Sequence, residues 1–216
     1  AAESVLTRQQ REAGTALIDI GAGTTNLIVF EDGEVQHVSV LPIGGQHITN
    51  DLAIGLKTDI DVAEQVKVQH ADVHSEPKKT NAMVKVGNKA HNFKFEEISM
   101  IVEARMDELF EYVDKELHKI KRSRKLPGGI VITGVTAKLP GIDEFAREKL
   151  QLPARIGKLH NVGGLVDTVE DPAFTTVVGL MLLDMLLLPA LPPVHGGAGG
   201  GAKALVGGLF GRFRSK

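Results

Sequence analysis

Three short β-rich runs joined by tight turns fill residues 15–41 and leave this stretch few alternatives to an antiparallel meander. The first run, Thr15–Ile20, ends at the glycine-rich stretch Gly21–Thr25, and the second, Asn26–Phe30, ends at an Asp-Gly turn typical of hairpins. The third run, Val35–Leu41, is predicted to alternate between two faces. This prediction puts Val35, His37, Ser39 and Leu41 on one face and Gln36, Val38 and Val40 on the other.

Helical and β-rich patterns alternate after the meander. Apolar residues at helical spacing predict a long amphipathic helix over residues 95–121, with its inner stripe on the core. The last helical pattern, residues 173–188, is nearly all apolar but contains Asp184 and is shorter than the ~20 residues of a membrane span, so we predict a buried core helix. The other predicted elements are a capped helix after Thr7, helices over 47–56, 61–69 and 142–150, and strands over 83–86, 92–95, 130–133 and 154–156.

Composition narrows the classes of function. The 216 residues include 25 basic and 27 acidic side chains, and a net charge of -2 is less basic than a bulk nucleic-acid binder normally is. The chain has no cysteine, which excludes a disulfide framework and Cys-ligated zinc or iron–sulfur sites and fits a reducing compartment. Because it begins at Ala1 rather than at a methionine, without a secretory signal, we expect it to be part of a longer protein.

The turn after the first strand is the strongest candidate for chemistry. The strand delivers Asp19 to a Gly-Ala-Gly-Thr-Thr sequence, where glycines let backbone N–H groups approach an anion and threonine hydroxyls add donors. A carboxylate there suits the water shell of Mg²⁺. The sequence lacks the Lys of a Walker A loop and continues into a strand, which excludes the dinucleotide fingerprint. From spacing alone, a plain hairpin turn is the commoner explanation.

A family resemblance changes this balance. The run Leu17–Thr25 resembles the second phosphate motif of the actin, sugar-kinase and heat-shock ATPase superfamily. The run Leu41–Leu56, LPIGGQHITNDLAIGL, resembles the bacterial cell-division actin homologue FtsA. The same resemblance extends over about residues 1–188 in family order, through Ala63–Lys67, Ile101–Phe110, Ile130–Gly134 and Leu139–Ile142.

The resemblance implies an α/β, actin-like (ribonuclease H-like) ATPase fold, of which this chain has one lobe with an inserted, smaller α+β subdomain. The other lobe would hold the first phosphate loop and the assembly subdomain of the family. The implied divisions are a boundary helix at residues 1–14, subdomain 2A at 15–57 and 126–188, subdomain 2B at 58–125, a Pro/Gly linker at 189–203 and an amphipathic tail at 204–216.

ATP with Mg²⁺ is the ligand that the resemblance implies. Asp19 would support the Mg²⁺ through water, the turn that follows would cradle the β- and γ-phosphates, and a later helix would contact ribose and adenine. Val135, where a second glycine is usual, adds a Cβ beside the adenosine, and Asn26 replaces a frequent aspartate. The residues implied in nucleotide binding are Asp19, Gly21, Gly23, Thr24, Thr25, Glu64, Lys67 and Gly134.

The implied function lies in bacterial cell division, as a tether between the tubulin-like protein FtsZ and the inner face of the cytoplasmic membrane. The chain is therefore expected to be cytoplasmic and peripheral to the membrane at the division site. Self-association into filaments and contacts with downstream division proteins are also implied, and nucleic acid is not. In the family, subdomain 2B receives the C-terminal peptide of FtsZ, and the bases predicted to meet its acids are Arg105, Lys121, Arg122 and Arg124.

The tail, residues 204–216, has a pattern of its own. No acid follows Asp184, whereas four bases do. On a helix, its apolar side chains would fall within one arc of about 140°, which is typical of a segment that lies in a lipid interface. The alternative is an unstructured tail with incidental phenylalanines. The residues predicted to contact an anionic membrane are Leu205, Val206, Leu209, Phe210, Arg212, Phe213, Arg214 and Lys216.

Two other functions stay open at this point. One is a scaffold like the pilus-assembly actin homologue PilM, against which the basic tail argues, and the other is a sugar-kinase or chaperone-type ATPase, for which no substrate-domain motif is visible. Because phosphoryl transfer needs both phosphate loops and a positioned water, we expect a weak ATPase at most and little hydrolysis by this chain. His70 and His74 have metal-ligand spacing without a third ligand, which favours solvated histidines.

Overall fold

The computed structural model describes residues 1–73, 81–160 and 171–187, with one large sheet at the centre. The strands are β1 (Thr15–Ile20), β2 (Thr25–Glu31), β3 (Glu34–Leu41), β4 (Asn81–Val86), β5 (Lys89–Lys94), β6 (Ile130–Thr133) and β7 (Ala154–Ile156). Five of them form a sheet in the order β3-β2-β1-β6-β7, and β4 and β5 form a separate antiparallel pair.

Seven helices accompany these strands in the described part of the chain. The helices are α1 (Ala2–Val5), α2 (Arg8–Ala13), α3 (Gly45–Gly55), α4 (Ile60–His70), α5 (Phe95–Lys119), α6 (Ile142–Leu150) and α7 (Thr175–Leu187). Single 3₁₀ turns, Val135–Lys138 and Pro172–Phe174, follow β6 and precede α7. The predicted cap at Thr7 is confirmed, because its Oγ1 accepts from Gln10 N over 3.2 Å while Gln10 Oε1 accepts from Thr7 N over 2.9 Å.

The predicted meander is confirmed, and β1 lies at its inner edge in the middle of the sheet. β1 pairs antiparallel with β2 and parallel with β6, so both of its edges are hydrogen-bonded to neighbouring strands. Ala16, Ile18 and Ile20 belong to the main core, whereas Leu17 belongs to a smaller cluster on the opposite face. A strand covered on both faces has to be apolar at nearly every position, which explains the continuous run in β1.

The predicted faces of β3 are wrong at Val35. A β-bulge lies where β3 passes Val29 and Phe30, so that Val29 pairs with His37 and Phe30 with Val35. Since neighbouring residues of β2 point to opposite faces, Val35 and His37 do so as well. One extra residue therefore reverses the alternation at the start of the strand.

The amphipathic pattern of α5 predicts its packing well, although the helix ends at Lys119 rather than at residue 121. Most of its inner stripe is fully buried in the main core that it shares with α3, α4 and the sheet. Ile101 and Ile120 are the partly exposed members of that stripe. The buried members are Ile98, Val102, Met106, Leu109, Phe110, Val113 and Leu117.

The prediction that the last helix is buried is wrong. In α7 only Thr175, Val178 and Gly179 are buried, while Leu180 is 62% and Met181 60% exposed. The buried side rests on the N-terminal segment, where Ser4 Oγ donates to Thr175 O over 2.7 Å. Beyond Gly179 most residues of the helix are exposed, so an apolar composition does not by itself make this helix a buried one. None of the described helices has the length and hydrophobicity that a membrane crossing requires.

Candidate functional site

The turn between β1 and β2 is held in shape by the start of α3. Gly21 N donates to Thr24 O over 2.9 Å and closes the turn. Gly45 N then donates to Gly21 O over 3.0 Å, and Gln46 N donates to Ala22 O over 2.8 Å. These bonds use the first N–H groups of α3, which have no partner inside the helix. The turn is therefore fixed by backbone contacts before any ligand binds.

The tip of this turn is open to solvent, but Thr25 is not. Ala22, Gly23 and Thr24 are exposed, and a Cβ built on Gly23 would meet no atom within 4 Å. Thr25 is fully buried, and its hydroxyl donates to Ile43 O over 2.8 Å. A hydroxyl has a single proton to donate, so Thr25 fixes the turn and has no donor left for a phosphate. In the structure the Thr25 hydroxyl thus has a structural role, and its contact with a phosphate stays a prediction.

Asp19 lies where β1, the loop after β6 and the start of α7 meet. It pairs in register with Thr133, the last residue of β6. Its Oδ2 accepts a hydrogen bond from Thr176 Oγ1 over 2.7 Å. Gly134 follows with φ +91°, and a Cβ there would lie 2.4 Å from Ile20 O and 2.5 Å from Asp19 Oδ1. Only glycine meets both demands, so the close approach of the loop to Asp19 depends on Gly134.

Glu64 and Lys67, one turn apart on α4, form a polar cluster with α3. Lys67 Nζ donates to Glu64 Oε2 over 2.6 Å, to Thr49 Oγ1 over 2.8 Å and to Gly45 O over 3.2 Å. Thr49 Oγ1 lies 2.5 Å from Glu64 Oε2. Burial opposes the ionisation of Glu64, but the hydrogen bonds from Lys67 and Thr49 outweigh it and lower the pKa of Glu64 below its ordinary value. The cluster fixes a carboxylate and an ammonium on one wall.

A cavity of about 680 Å³ opens beside this cluster. Its volume is within the range typical of small-molecule sites. The structure thus brings Glu64 and Lys67 to the same cavity as Ala22 of the turn and Val135 of the loop after β6. Asp19, Gly23 and Thr24 lie outside its lining. The residues that line it are Ala22, Gly45, Gln46, Ile48, Thr49, Ile60, Asp61, Glu64, Lys67, Val68, Val135, Thr136, Lys138, Leu139 and Pro140.

The predicted peptide-contacting bases are dispersed, and two of them already have partners. Arg105 is paired with Asp51 and Glu108, and Arg122 Nη2 lies 2.6 Å from Glu31 Oε2. Lys121 and Arg124 follow α5 with φ of 60° and 58°, and neither forms an ion pair within the described ranges. The predicted membrane contacts of residues 204–216 lie outside the described residues.

Several polar residues at the site had no signal in the sequence analysis. Thr136 Oγ1 donates to Gly21 O over 3.0 Å, and Thr176 reaches Asp19 across 157 residues of sequence. Thr49 could have been found from the sequence, because it lies one helical turn after Gly45, the first residue of α3. In the described ranges no group of three or more His, Asp or Glu side chains is arranged to hold a metal directly.

A family model and several known proteins match this chain in sequence. A family model described as "Cell division protein FtsA" matches residues 16–179. The chain is 37% identical over 185 residues to the cell division protein FtsA of Pseudomonas aeruginosa, which covers 84% of this chain and 44% of that protein. It is 38% identical over 185 residues to FtsA of Bacillus subtilis, which covers 84% and 41%. The chain thus spans about half the length of the curated relatives it matches.

Solved structures confirm the predicted actin-like α/β fold with one lobe. MreB5 of Spiroplasma citri bound to ADP is similar with a TM-score of 0.68 at 18% identity, over 86% of this chain and 57% of that one. The PilM–PilN type IV pilus biogenesis complex is similar with a TM-score of 0.61 at 17% identity, over 82% and 47%. At such identities the likeness is one of fold alone. With a family model matched over residues 16–179 and relatives above 35% identity, the chain belongs to the FtsA family of cell division proteins.

Proposed function

We propose that this chain binds an adenine nucleotide with Mg²⁺ in the cavity beside the β1–β2 turn. The observation that supports this most directly is the convergence of three separate segments on one hollow: the turn at Ala22, the α4 residues Glu64 and Lys67, and the loop at Val135. The likeness to MreB5, solved with ADP and with AMPPNP, points the same way. No second ligand class is favoured by any described residue.

The residues fit a phosphate at the turn. The exposed Gly23 and Thr24 offer backbone N–H groups, and Thr24 adds a hydroxyl, at a place where no side chain blocks an anion. Asp19 accepts a hydrogen bond from a threonine hydroxyl and is paired with no Lys or Arg side chain in the part of the chain that the structure describes. Its carboxylate can therefore orient the waters of a hydrated Mg²⁺. When bound, the Mg²⁺ would neutralise phosphate charge.

The polar wall fits the sugar and base. Glu64, kept ionised by Lys67 and Thr49, would accept hydrogen bonds from ribose hydroxyls, and Lys67 would hold that carboxylate in place. Gly134 lets the loop after β6 approach β1 closely. The side chain of the next residue, Val135, is exposed and lines the cavity, where it takes up space. We expect Val135 to weaken the affinity relative to relatives with a second glycine, and we expect little hydrolysis by this chain.

In cell division, we propose that the protein tethers FtsZ filaments to the cytoplasmic face of the membrane and self-associates into filaments. Residues 204–216 would contact anionic lipid, and the stretch 58–125 would receive the acidic peptide of FtsZ. Because Arg105 and Arg122 are paired within the chain, Lys121 and Arg124 are the better placed bases for that peptide. The proposal for Arg105 is abandoned if Arg105→Glu leaves peptide binding unchanged.

A titration tests nucleotide binding. The 216-residue chain is titrated with ADP in excess Mg²⁺ by calorimetry, alongside Lys67→Met and, as a matched control, Lys115→Met on the exposed side of α5. Since hydrogen bonds to charged groups contribute about 1.5–3 kcal/mol, Lys67→Met is expected to weaken binding by about 10-fold or more, and Lys115→Met to leave it unchanged. A wild type without saturable binding, or a Lys67→Met variant of unchanged affinity, contradicts the proposal.

Co-sedimentation tests the division role. The chain is expected to pellet with FtsZ filaments and to lose this association when Lys121 and Arg124 are both replaced by Glu. Lys115→Glu together with Arg8→Glu, both at exposed positions, serves as the charge-matched control. Failure of the wild-type chain to pellet with FtsZ would return the pilus-type scaffold to consideration.

A further inference from the structure

The segment that opens α7 contacts both loops of the candidate nucleotide site. Thr176 Oγ1 donates to Asp19 Oδ2 over 2.7 Å, and Gly134 N donates to Pro172 O over 3.1 Å. Lys138, at the end of the 3₁₀ turn after Gly134, forms an ion pair with Asp171. Residues 171–176 therefore join the end of β1 to the loop after β6 through these contacts.

This segment is itself firmly anchored. Thr175 is buried, its hydroxyl donates to Pro172 O over 2.9 Å, and its carbonyl accepts from Ser4 Oγ over 2.7 Å. Asp171 Oδ1 caps the 3₁₀ turn by accepting from Ala173 N over 2.9 Å. Because the residue next to Thr176 is fixed from both sides, the Thr176 hydroxyl occupies a defined place over Asp19.

The carboxylate of Asp19 is confined as a result. Its Oδ2 is held by Thr176, and its Oδ1 is directed toward Gly134, where a Cβ would be 2.5 Å away. A carboxylate oxygen has more than one lone pair, so the bond from Thr176 leaves acceptor capacity for metal-bound water. An aspartate held in one orientation loses less conformational freedom when it binds a hydrated cation.

We propose that Thr176 is a positioning residue that orients Asp19 toward the hydrated Mg²⁺ of a bound nucleotide. This inference rests on the proposed nucleotide function and adds a residue to it that lies outside the β1–β2 turn and the loop after β6. Its consequence is specific: Thr176 supports the affinity for nucleotide with Mg²⁺, and it has no part in the affinity for nucleotide without Mg²⁺.

Calorimetric titration with ADP, in excess Mg²⁺ and separately in excess EDTA, tests this role. Loss of a group that orients a metal-binding carboxylate typically costs 10–100-fold in metal affinity. Thr176→Val, which keeps the shape and removes the hydroxyl, is therefore expected to weaken Mg²⁺-ADP binding by about 10-fold or more and to leave ADP binding in EDTA unchanged. Thr176→Ser, which keeps the hydroxyl, is expected to restore the wild-type affinity.

The outcomes separate this inference from the proposed function. If the wild type binds Mg²⁺-ADP and Thr176→Val binds it equally well, or loses affinity equally in Mg²⁺ and in EDTA, the inference is overturned while nucleotide binding stands. If the wild type binds no nucleotide under either condition, the proposed function fails and the metal role of Thr176 fails with it.

A measurement without ligand checks the underlying contact. The Tm values of Asp19→Ala, Thr176→Val and the double variant are expected to show coupling. The Tm of the double variant should be no lower than that of the less stable single variant, because both substitutions remove the same hydrogen bond. Fully additive decreases in Tm would overturn the inference whatever the titrations show.

Discussion

Arg105 on α5 forms a bidentate ion pair with Asp51 on α3, with Nε 2.5 Å from Oδ2 and Nη2 2.8 Å from Oδ1. Asp51 belongs to α3, whose first N–H groups hold the β1–β2 turn, and Arg105 belongs to the stretch 58–125. The hydrogen bonds that Asp51 accepts from Arg105, and the negative charge of Asp51, raise the pKa of Arg105 above its ordinary value despite partial burial. This pair thus connects α5 to α3, the helix beside the candidate site, through a planar, directional contact.

Removing this connection is expected to destabilise the chain. Arg105→Ala leaves Asp51 partly buried without its partner, and charge-assisted hydrogen bonds contribute about 1.5–3 kcal/mol, so we expect a loss of about 1–2 kcal/mol in the free energy of unfolding. Arg8→Ala is the matched control, because Arg8 pairs with Glu12 on an exposed helix face and such pairs contribute about 0–1 kcal/mol. Urea denaturation measures both. Equal losses in the two variants would show that the Asp51 pair is no stronger than a surface pair.

Glycine at position 44 is expected to be essential for the shape of the turn. A Cβ on Gly44 would lie 2.6 Å from both Gly21 O and Ala22 O, the two carbonyl groups that accept from the start of α3. Gly44→Ala must therefore push α3 away from the turn, and we expect a loss of about 1–3 kcal/mol in stability together with weaker nucleotide binding.

Gly23→Ala is the control for this prediction within the same turn. Its Cβ would enter open space, so the free energy of unfolding should change by less than about 0.5 kcal/mol. The new methyl group would nevertheless stand where we place the phosphate. A Gly23→Ala variant as unstable as Gly44→Ala would contradict the packing described for the turn.

The sequence predicted those parts of the fold that depend on local periodicity. The β1–β2–β3 meander and the buried stripe of α5 follow from the spacing of apolar residues, and the structure has both. It failed at Val35, where a single bulge reverses the faces, and at α7, where composition says nothing about which side finds a partner. Periodicity encodes the face that is apolar, and tertiary contacts decide whether that face is covered.

The candidate site divides in the same way. Glu64 and Lys67 are close in sequence and were found through a family motif, and both line the cavity. Thr25 matches the same motif, yet the residue type does not reveal that its hydroxyl is bonded to Ile43. Thr176 matches no motif, because its contact with Asp19 depends on how residues 171–176 return to the sheet. Contacts of that kind are set by the fold as a whole.

Acid is expected to weaken the contribution of Glu64. The pKa of Glu64 is lower in the folded chain than its ordinary value. Its bonds with Lys67 and Thr49 therefore stabilise the fold in full at pH values above the ordinary pKa of a glutamate. This contribution is lost as the pH falls through the lowered pKa. Urea denaturation at stepwise pH from about 7 to 3 should therefore show that the stability difference between wild type and Glu64→Gln shrinks on acidification.

The control for this pH effect is Glu148→Gln, at an exposed position of α6. This variant measures the pH dependence that a Glu→Gln replacement on the surface causes by itself, and the result for Glu64→Gln is compared with it. A difference for Glu64→Gln that does not shrink on acidification would mean that Lys67 and Thr49 do not favour the ionised form of Glu64.

Membrane binding is expected to depend on both the apolar side chains and the basic side chains of residues 204–216. Deleting residues 204–216, or changing Phe210→Glu with Phe213→Glu, should abolish sedimentation with anionic liposomes. The reason is that the apolar side chains of the tail are the ones expected to insert into the lipid interface. Since each base near an anionic surface contributes about 1 kcal/mol, Arg212→Ala should weaken binding by about fivefold and raised salt should weaken it further. Lys115→Ala, in the body of the chain, should bind like the wild type. Liposomes of neutral lipid should retain little protein, and equal sedimentation with neutral and anionic lipid would contradict the role assigned to the basic residues.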